Sequence, residues 1–209
     1  MAGVLRIPFV PLARTVLQRK VIRRTEGFAL QPTPADRLGP AYRSGAPYRT
    51  TIVPSSDRGE RLVLAGRVLS ANTAEPLRNV LMEVWQTNRR GLYSDLLGFG
   101  LPGAPLRMAF RGRMRTSDDG RYQLETVVPG HYPLGPLSRP RHIHFMITHP
   151  GYDPLITQLY FEGDPLLSRD RFATLPLRLS PGPGQDENGL RMQHAHFDFA
   201  LVEVSRHQR

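Results

Sequence analysis

From Arg61 to Val204 the chain is a series of short segments in which apolar and polar residues alternate, separated by turns rich in Gly, Pro, Asn and Asp. Examples are RLVLAGRVLS at 61–70, GRYQLETVVPG at 120–130 and RHIHFMITH at 141–149. A period of two is typical of strands with one buried face, and helical periodicity is absent from this part of the chain. Several such strands at close spacing predict an all-β fold, an antiparallel β-sandwich.

Two pairs of neighbouring segments are predicted to form antiparallel hairpins. The sequence ANTAEPLRN separates segment 61–70 from segment 80–88, and a Pro-Gly turn separates segment 141–149 from LITQLYFEG at 155–163. Such turn residues reverse the chain between strands. The segment AHFDFALVEV, at 195–204, is predicted to be the last strand.

The first 60 residues differ in composition from the rest. They are rich in Pro, Gly and Arg, and the stretch QPTPADRLGPAYRSGAP shows no regular periodicity. We therefore expect an irregular basic N-terminal arm at 1–60 and a β-sandwich domain at 61–209.

The formal net charge of +10 raises the question of nucleic-acid binding. Residues 1–60 carry ten basic and four acidic side chains, so this irregular arm supplies +6 of the charge. Of the 28 basic residues only Lys20 is a lysine. This indicates a general preference of the organism for arginine more than selection for phosphate contacts. We expect no nucleic-acid partner, and the positive surface would favour an anionic substrate.

The absence of cysteine excludes several kinds of site. The chain has no thiolate nucleophile, disulfide, iron–sulfur cluster or cysteine-ligated zinc, so any metal must use His, Asp, Glu or Tyr. No apolar run approaches the ~18 residues of a membrane span. The opening residues, interrupted by arginine and proline, make a poor secretory signal, and a cytoplasmic protein is expected.

The sequence His142-Ile143-His144 is a candidate metal-binding pair. Residues two apart on a strand point to the same face, so both imidazoles project together and Ile143 faces the core. By itself the spacing is a weak signal, because His194 and His196 repeat it without supporting residues nearby. We interpret that second pair as ordinary strand residues, and the first pair alone could be the same.

Two tyrosines strengthen the first pair. Tyr132 lies in the loop PGHYP and Tyr93 in NRRGLYSD, each just after a predicted strand. Either one alone is more often a packed ring with a surface hydroxyl. Two phenolates with two imidazoles form a hard, anionic ligand set that suits Fe(III) better than zinc.

Longer stretches around these residues resemble a known family. GRVLSANTAEPLRNVLMEVWQTNRRGLY, FRGRMRTSDDGRYQLETVVPGHYP and RPRHIHFMITHPGYDPLITQLYFEGDP are similar, in this order, to the intradiol ring-cleavage dioxygenases. That family of non-haem Fe(III) enzymes includes protocatechuate 3,4-dioxygenase, catechol 1,2-dioxygenase and hydroxyquinol 1,2-dioxygenase. The likeness covers about residues 28–204.

The resemblance implies a metal site and a reaction. Tyr93, Tyr132, His142 and His144 would bind Fe(III), and Tyr132 would be displaced by the substrate while its phenolate helps to deprotonate the diol. The substrates would be a small aromatic diol of the catechol type and O2, and the product a cis,cis-muconate-type dicarboxylic acid.

Two further polar residues acquire roles from the resemblance. Arg139 would stabilise negative charge on the substrate ring as oxygen attacks, where without the resemblance it could be a surface ion-pairing arginine. Gln158 would be a polar residue that faces the substrate or supports those that do.

The chain also departs from the family pattern. Leu134 stands where protocatechuate enzymes commonly carry tryptophan, and Arg141 replaces a small residue, so contacts of this loop do not transfer. The arm matches a family segment that helps to line the substrate pocket, which makes Gly39, Pro40 and Tyr42 candidate pocket residues. Because arm and ligands lie on one chain, we expect a homo-oligomer.

A second function remains open at this point. The phrase DDGRYQLETVVPGHY also occurs in non-catalytic β-sandwich modules of transthyretin-like or carbohydrate-binding type. The two tyrosines, Arg139 and the His-x-His pair favour the enzyme.

Overall fold

A computed structural model of the chain describes residues 27–94, 108–134, 137–170, 173, 177–185, 189 and 191–204. No helix in these ranges is long and apolar enough to cross a membrane. The strands are β1 (Arg61–Ser70), β2 (Leu81–Gln86), β3 (Arg111–Arg115), β4 (Arg121–Val127), β5 (Tyr132–Leu134), β6 (Leu137–Arg139), β7 (His142–Thr148), β8 (Leu155–Phe161), β9 (Arg178–Leu179), β10 (Gly182–Gln185), β11 (Arg191–His196) and β12 (Phe199–Leu201).

Ten of these strands form two five-stranded sheets, and β5 and β6 form a separate two-stranded hairpin. The β1 sheet has the order β10-β11-β1-β12 with β4 also paired to β1, and the β7 sheet has the order β3-β2-β7-β8-β9. Their alternating apolar residues meet in one core, which includes Leu64 and Leu124 from the β1 sheet and Val84, Phe145 and Leu159 from the β7 sheet. The predicted all-β sandwich is confirmed.

The pairing within the sheets is mixed. Most described strand pairs are antiparallel, but β1 runs parallel to β11 and β12, and β8 runs parallel to β9. The alternation that identifies a strand does not distinguish parallel from antiparallel neighbours, because both present side chains with a period of two.

One of the two predicted hairpins is wrong and the other is confirmed. Strand β1 pairs with β4 rather than with β2, so the residues between β1 and β2 cross from one sheet to the other. The apolar side chains of β1 and β2 are buried in the same core, but the two strands reach it from different sheets instead of pairing side by side. Strands β7 and β8 are antiparallel neighbours, with His144 opposite Gln158.

The described part of the arm, residues 27–60, lacks long strands and lies against both sheets. The Thr33 N–H donates to the Ala200 carbonyl at 3.0 Å, and the Asp36 N–H donates to the Ile156 carbonyl at 2.7 Å. Ile52 is buried in the main core, so the end of the arm is packed as firmly as the strands. Residues 1–26, which carry much of the predicted basic character, lie outside the described residues.

Candidate metal centre

Strand β7 holds the two histidines in the middle of its sheet, between β2 and β8. His142 is 3 % exposed and His144 is 2 % exposed, and their Nε2 atoms lie 3.1 Å apart. Ile143 between them is fully buried in the core on the opposite face, as the period of two predicts. The His142 Nδ1 lies 2.7 Å from the Pro140 carbonyl, which can only accept, so Nδ1 carries the proton and Nε2 has a free lone pair.

Both imidazoles are held neutral by their surroundings. Burial lowers the pKa of His142 to about 4, and the charge of Arg139 acts in the same direction. Burial also lowers the pKa of His144 well below its ordinary value, with further contributions from His142, Arg139 and Arg111. A neutral imidazole is the form that binds a metal.

Tyr93 reaches the histidines from the loop that follows β2. Asn88 builds this loop, because its side-chain oxygen accepts the backbone N–H groups of Arg90 and Leu92 at 2.9 Å and 3.1 Å. The Tyr93 side chain is buried and its hydroxyl lies 3.2 Å from the His144 Nε2. The Arg111 guanidinium, also buried, lies 5.7 Å from the centre of the Tyr93 ring.

The loop with Tyr132 crosses the Tyr93 loop at two glycines. A side chain on Gly91 would meet the His131 carbonyl, and a Cβ on Gly130 would lie 2.4 Å from the Gly91 nitrogen. Only glycines allow this close approach of two backbones. It brings the Tyr132 ring to a centroid distance of 5.2 Å from the Tyr93 ring, edge to face.

Buried polar contacts fix the two loops to each other. The Gln86 amide donates to the Val127 carbonyl at 2.9 Å, and the Thr87 hydroxyl donates to the Gly130 carbonyl at 3.1 Å. The Asn88 carbonyl accepts the N–H of Gly130 at 2.9 Å. The ends of β2 and β4, which belong to different sheets, are therefore held together where the tyrosines emerge.

The donor set fits a metal ion such as Fe(III). Two donor atoms that each lie about 2.1 Å from a metal, at a right or tetrahedral angle, are about 3.0–3.4 Å apart. The Nε2 atoms of His142 and His144 are 3.1 Å apart, and the His144 Nε2 lies 3.2 Å from the Tyr93 hydroxyl. No group of three or more His, Cys, Asp or Glu residues that could hold a metal occurs in the described ranges. A metal at this place therefore depends on the tyrosines, whose oxygen donors are hard and suit a ferric ion.

Arg139 lies beside this centre and is held by three side chains. Its Nε donates to Asp170 at 2.9 Å, one terminal nitrogen donates to Gln158 at 3.2 Å and the other donates to the Tyr160 hydroxyl at 3.0 Å. Burial acts to lower the pKa of Arg139, but the hydrogen bonds and charges of Asp170 and Tyr160 together outweigh burial and raise the pKa. The guanidinium therefore stays charged in a fixed orientation.

Gln158 and Tyr160 belong to the same face of the sheet as the histidines. Gln158 lies opposite His144 and Tyr160 lies opposite His142 in the β7–β8 pairing. The Gln158 amide also donates to the Arg37 carbonyl at 3.3 Å, so it joins the arm to Arg139. Burial raises the pKa of Tyr160 to about 12, although Arg139 opposes the rise, and its hydroxyl stays protonated.

The arm covers the other side of the histidines. A Cβ on Gly39, which has φ +74°, would lie 3.2 Å from the His144 ring, so the arm backbone touches the candidate ligand directly. Trp85 stacks on His144 with a centroid distance of 4.8 Å, and Tyr42 packs edge-on against Trp85. The Tyr42 hydroxyl donates to Glu83 at 3.2 Å, and burial, followed by Glu83, raises the pKa of Tyr42 to about 12.

The remaining predicted residues lie less close to the ligands. Pro40 is exposed and its carbonyl accepts a hydrogen bond from Arg43. Leu134 pairs through its backbone with Leu137, and its side chain lies outside what the structure describes. Arg141 donates its backbone N–H to Asp164 at 3.0 Å, and its partly exposed side chain is not among the contacts of the histidines.

Several residues at the centre were not predicted from the sequence: Trp85, Asn88, Tyr160, Asp164 and Asp170. Trp85 and Tyr160 fit strand periodicity, which does not distinguish a site residue from a core residue. Asp164 follows β8 within the turn EGDP, where acidic residues are common for local reasons. Their only sequence signal is closeness to predicted site residues, since Tyr160 is two residues from Gln158.

The chain is similar to known dioxygenases. A family model described as "Dioxygenase" matches residues 38–202. The chain is 45 % identical over 118 residues to the protocatechuate 3,4-dioxygenase beta chain of Burkholderia cepacia, which covers 54 % of this chain and 49 % of the relative. It is 34 % identical over 184 residues to the chlorocatechol 1,2-dioxygenase of Rhodococcus opacus, covering 78 % and 70 %.

A solved structure shows the same relation. The dioxygenase domain of a dioxygenase–carbohydrate-binding fusion from Streptomyces sp. SirexAA-E is 36 % identical, with a TM-score of 0.67, over 83 % of this chain and all of that one. The chain spans only about half of the Burkholderia relative, but the family match covers both tyrosine loops, β7 and β8. The protein therefore belongs to the intradiol ring-cleavage dioxygenase family.

Proposed function

We propose that this protein is an intradiol dioxygenase that uses a non-haem Fe(III) ion and O2 to cleave a catechol-type ring. The proposal rests on three donor atoms that lie close together. The Nε2 atoms of His142 and His144 are 3.1 Å apart, and the Tyr93 hydroxyl lies 3.2 Å from the His144 Nε2. Tyr132 completes the proposed ligand set. The alternative, a non-catalytic β-sandwich module, gives no reason to bury two imidazoles beside two phenols.

The bound Fe(III) would act as a template and Lewis acid for a chelated diol. The protein prepares the site before the metal arrives. The Pro140 carbonyl holds His142 in the tautomer with a free Nε2, while stacking on Trp85 fixes the plane of the His144 ring. Pre-orientation of this kind lowers the cost of ordering the ligands when the metal binds.

Tyr132 is proposed to exchange with the substrate and to take a proton from it. Its ring is only half-buried, whereas Tyr93 is 2 % exposed, so Tyr132 is the tyrosine with room to move. As a phenolate, Tyr132 would be a base that can take a proton from a hydroxyl of the diol.

Arg139 is proposed to stabilise the negative charge that develops on the ring during oxygen attack. Its three protein partners keep it in place, so no reorganisation is needed as the charge forms. Gln158 would act through Arg139, because its carbonyl oxygen accepts from the guanidinium. The reaction breaks the bond between the two hydroxyl-bearing carbons and retains both atoms of O2 in a dicarboxylic acid.

The substrate pocket and the assembly stay predictions. Gly39 is the best supported pocket residue, because it touches His144, and Pro40, Tyr42 and Leu134 rest on the sequence comparison alone. We propose a catechol with an anionic or polar substituent, in keeping with the net positive charge. The homo-oligomer and the cytoplasmic location are likewise proposed from the sequence.

The colour of the purified protein tests the proposal. A phenolate-to-Fe(III) charge-transfer band and a high-spin ferric EPR signal are expected, together with O2 uptake on a panel of catechol, protocatechuate, hydroxyquinol and chlorinated catechols. The variant Tyr132→Phe should shift the band, and Arg139→Met should keep the band but lose turnover. Iron-loaded protein that is colourless and consumes no O2 with any diol would overturn the proposal.

A further inference from the structure

We propose that Asp164 is a positioning residue, whose carboxylate clamps the base of the β5–β6 hairpin and thereby sets the place of Tyr132. This inference rests on the proposed function for its catalytic meaning. Asp164 lies in the turn after β8, and its carboxylate contacts His131, Arg141 and Leu166, none of which is a candidate ligand. Its effect on the metal centre is therefore transmitted through the hairpin.

The Asp164 carboxylate contacts both ends of the hairpin at once. One oxygen accepts the N–H of Arg141, two residues after β6, at 3.0 Å, and lies 3.0 Å from the Nε2 of His131, the residue before β5. The other oxygen accepts the Leu166 N–H at 2.9 Å, which fixes the carboxylate to its own turn. The Asp164 side chain is fully buried, so these contacts are shielded from solvent.

The hairpin itself is too short to hold Tyr132 without help. Its pairing consists of Tyr132 with Arg139, Pro133 with Ser138 and Leu134 with Leu137. A two-stranded hairpin is marginally stable by itself even when it is longer. Its position must therefore come from contacts at its base and from the residues on which it rests.

His131 connects the clamp to Tyr132 directly. Its side chain is held by Asp164, and its carbonyl is held against Gly91, where there is no space for a Cβ. The next residue is Tyr132, which leaves its backbone little freedom. A backbone held in this way allows the Tyr132 side chain to leave and return to the same place in each turnover.

The experiment compares two His–Asp pairs of the same chain. In the β1 sheet, Asp198 lies 3.0 Å from the His196 Nε2 and accepts the Arg67 N–H at 2.7 Å, so it has the same kinds of partner far from the hairpin. The variants are Asp164→Asn, His131→Ala and, as matched control, Asp198→Asn. His131 is one-third exposed, so His131→Ala should fold even if Asp164→Asn does not.

Two measurements are made on each variant. Hydrogen exchange of peptides from 129–141 in the iron-free protein should become about tenfold faster or more in Asp164→Asn and His131→Ala, equivalent to losing ~1.4 kcal/mol of local stability. In iron-loaded protein, the charge-transfer band should shift in the same two variants. Asp198→Asn should change neither reading.

The outcomes are distinguishable. Unchanged exchange and an unchanged band in folded His131→Ala would overturn the clamp, and so would an equal effect of Asp198→Asn. Faster exchange without a band shift would show that Asp164 supports the loop but does not position Tyr132, which also overturns the inference. If the wild-type protein showed no charge-transfer band at all, the proposed function would fail instead, while the exchange result would still test the clamp.

Discussion

The chain contains two His-x-His pairs, of which one is buried and the other is exposed. His142 and His144 on β7 are almost fully buried, with their Nε2 atoms 3.1 Å apart. His194 and His196 on β11 are exposed, and the His196 Nε2 lies 3.0 Å from a carboxylate oxygen of Asp198 at the surface. Both strands have a neighbour on each side, so the position of the strand within its sheet does not explain the difference.

The difference lies in what covers the outer face of each sheet. Over β7 the arm and the Tyr93 loop form a second layer, and Trp85 on the neighbouring strand β2 stacks against His144 on the same face. Over β11 the pair faces solvent. Burial keeps imidazoles neutral and orders them, and two phenols come within reach only because the covering loops carry them.

The largest expected difference between the pairs is in iron content. His144→Ala should lower iron per chain by about tenfold or more, because loss even of residues that only support a ligand costs ~10–100-fold in metal affinity. His194→Ala should leave iron close to stoichiometric. Elemental analysis of both purified variants makes the comparison, and iron retained in His144→Ala would remove this residue from the site.

The second difference concerns acid stability of the iron-free protein. The pKa of His142 is lowered to about 4 in the folded state, while an unfolded histidine titrates near its ordinary value of 6.5. Between these pH values His142 is protonated in the unfolded chain but neutral in the folded chain. The free energy of unfolding therefore decreases as the pH falls from about 6.5 to about 4. The loss from this residue should be on the order of 3 kcal/mol.

Urea unfolding at several pH values measures this effect. The variant His142→Asn should lose stability less steeply with falling pH than the wild-type protein, whereas the double variant His194→Ala, His196→Ala should keep the wild-type slope. Equal slopes in all three proteins would contradict the assignment of acid sensitivity to the buried pair.

A pair of glycines gives the third comparison. The Cβ of Gly130→Ala would lie 2.4 Å from the Gly91 nitrogen and 2.6 Å from the Arg89 carbonyl, both backbone atoms that cannot easily move. We expect a loss of roughly 1–3 kcal/mol in unfolding free energy and a changed charge-transfer band, because the tyrosine loops are forced apart.

Gly184, on strand β10, is the matched control. A Cβ there would lie 2.2 Å from the Cδ2 of His194, but this exposed side chain can rotate away. Gly184→Ala should therefore stay within about 0.5 kcal/mol of wild type. Thermal unfolding of the two variants provides the test, and equal stabilities would show that the loop crossing is less rigid than its geometry indicates.

The smallest expected effect tests the outer part of the covering layer. Tyr42→Phe removes the hydrogen bond to Glu83 but keeps the ring against Trp85, and it should cost about 1 kcal/mol without changing iron content. Denaturant unfolding and metal analysis check both statements. A loss of iron in Tyr42→Phe would mean that the arm holds His144 more directly than through Trp85.

The sequence allowed accurate prediction where a local rule determines the outcome. The period of two placed Ile143 in the core and both neighbouring histidines on the other face, and a Pro-Gly turn predicted the β7–β8 pairing. It did not predict that β1 would pair with β4, because alternation identifies a strand but carries no information about its partner. Asp164 was missed for the same reason, since its partners His131 and Arg141 are more than twenty residues away.

By itself, the sequence determined the all-β class, the absence of cysteine chemistry and the resemblance that singles out Tyr93, Tyr132, His142 and His144. These depend on residue type and short spacing, which are local properties. The sequence favoured the first His-x-His pair through its neighbouring residues, but only the tertiary structure decided that this pair is buried and the second is exposed. That choice depends on which outer face the arm and the tyrosine loops cover, and long-range packing, not spacing along the chain, establishes that cover.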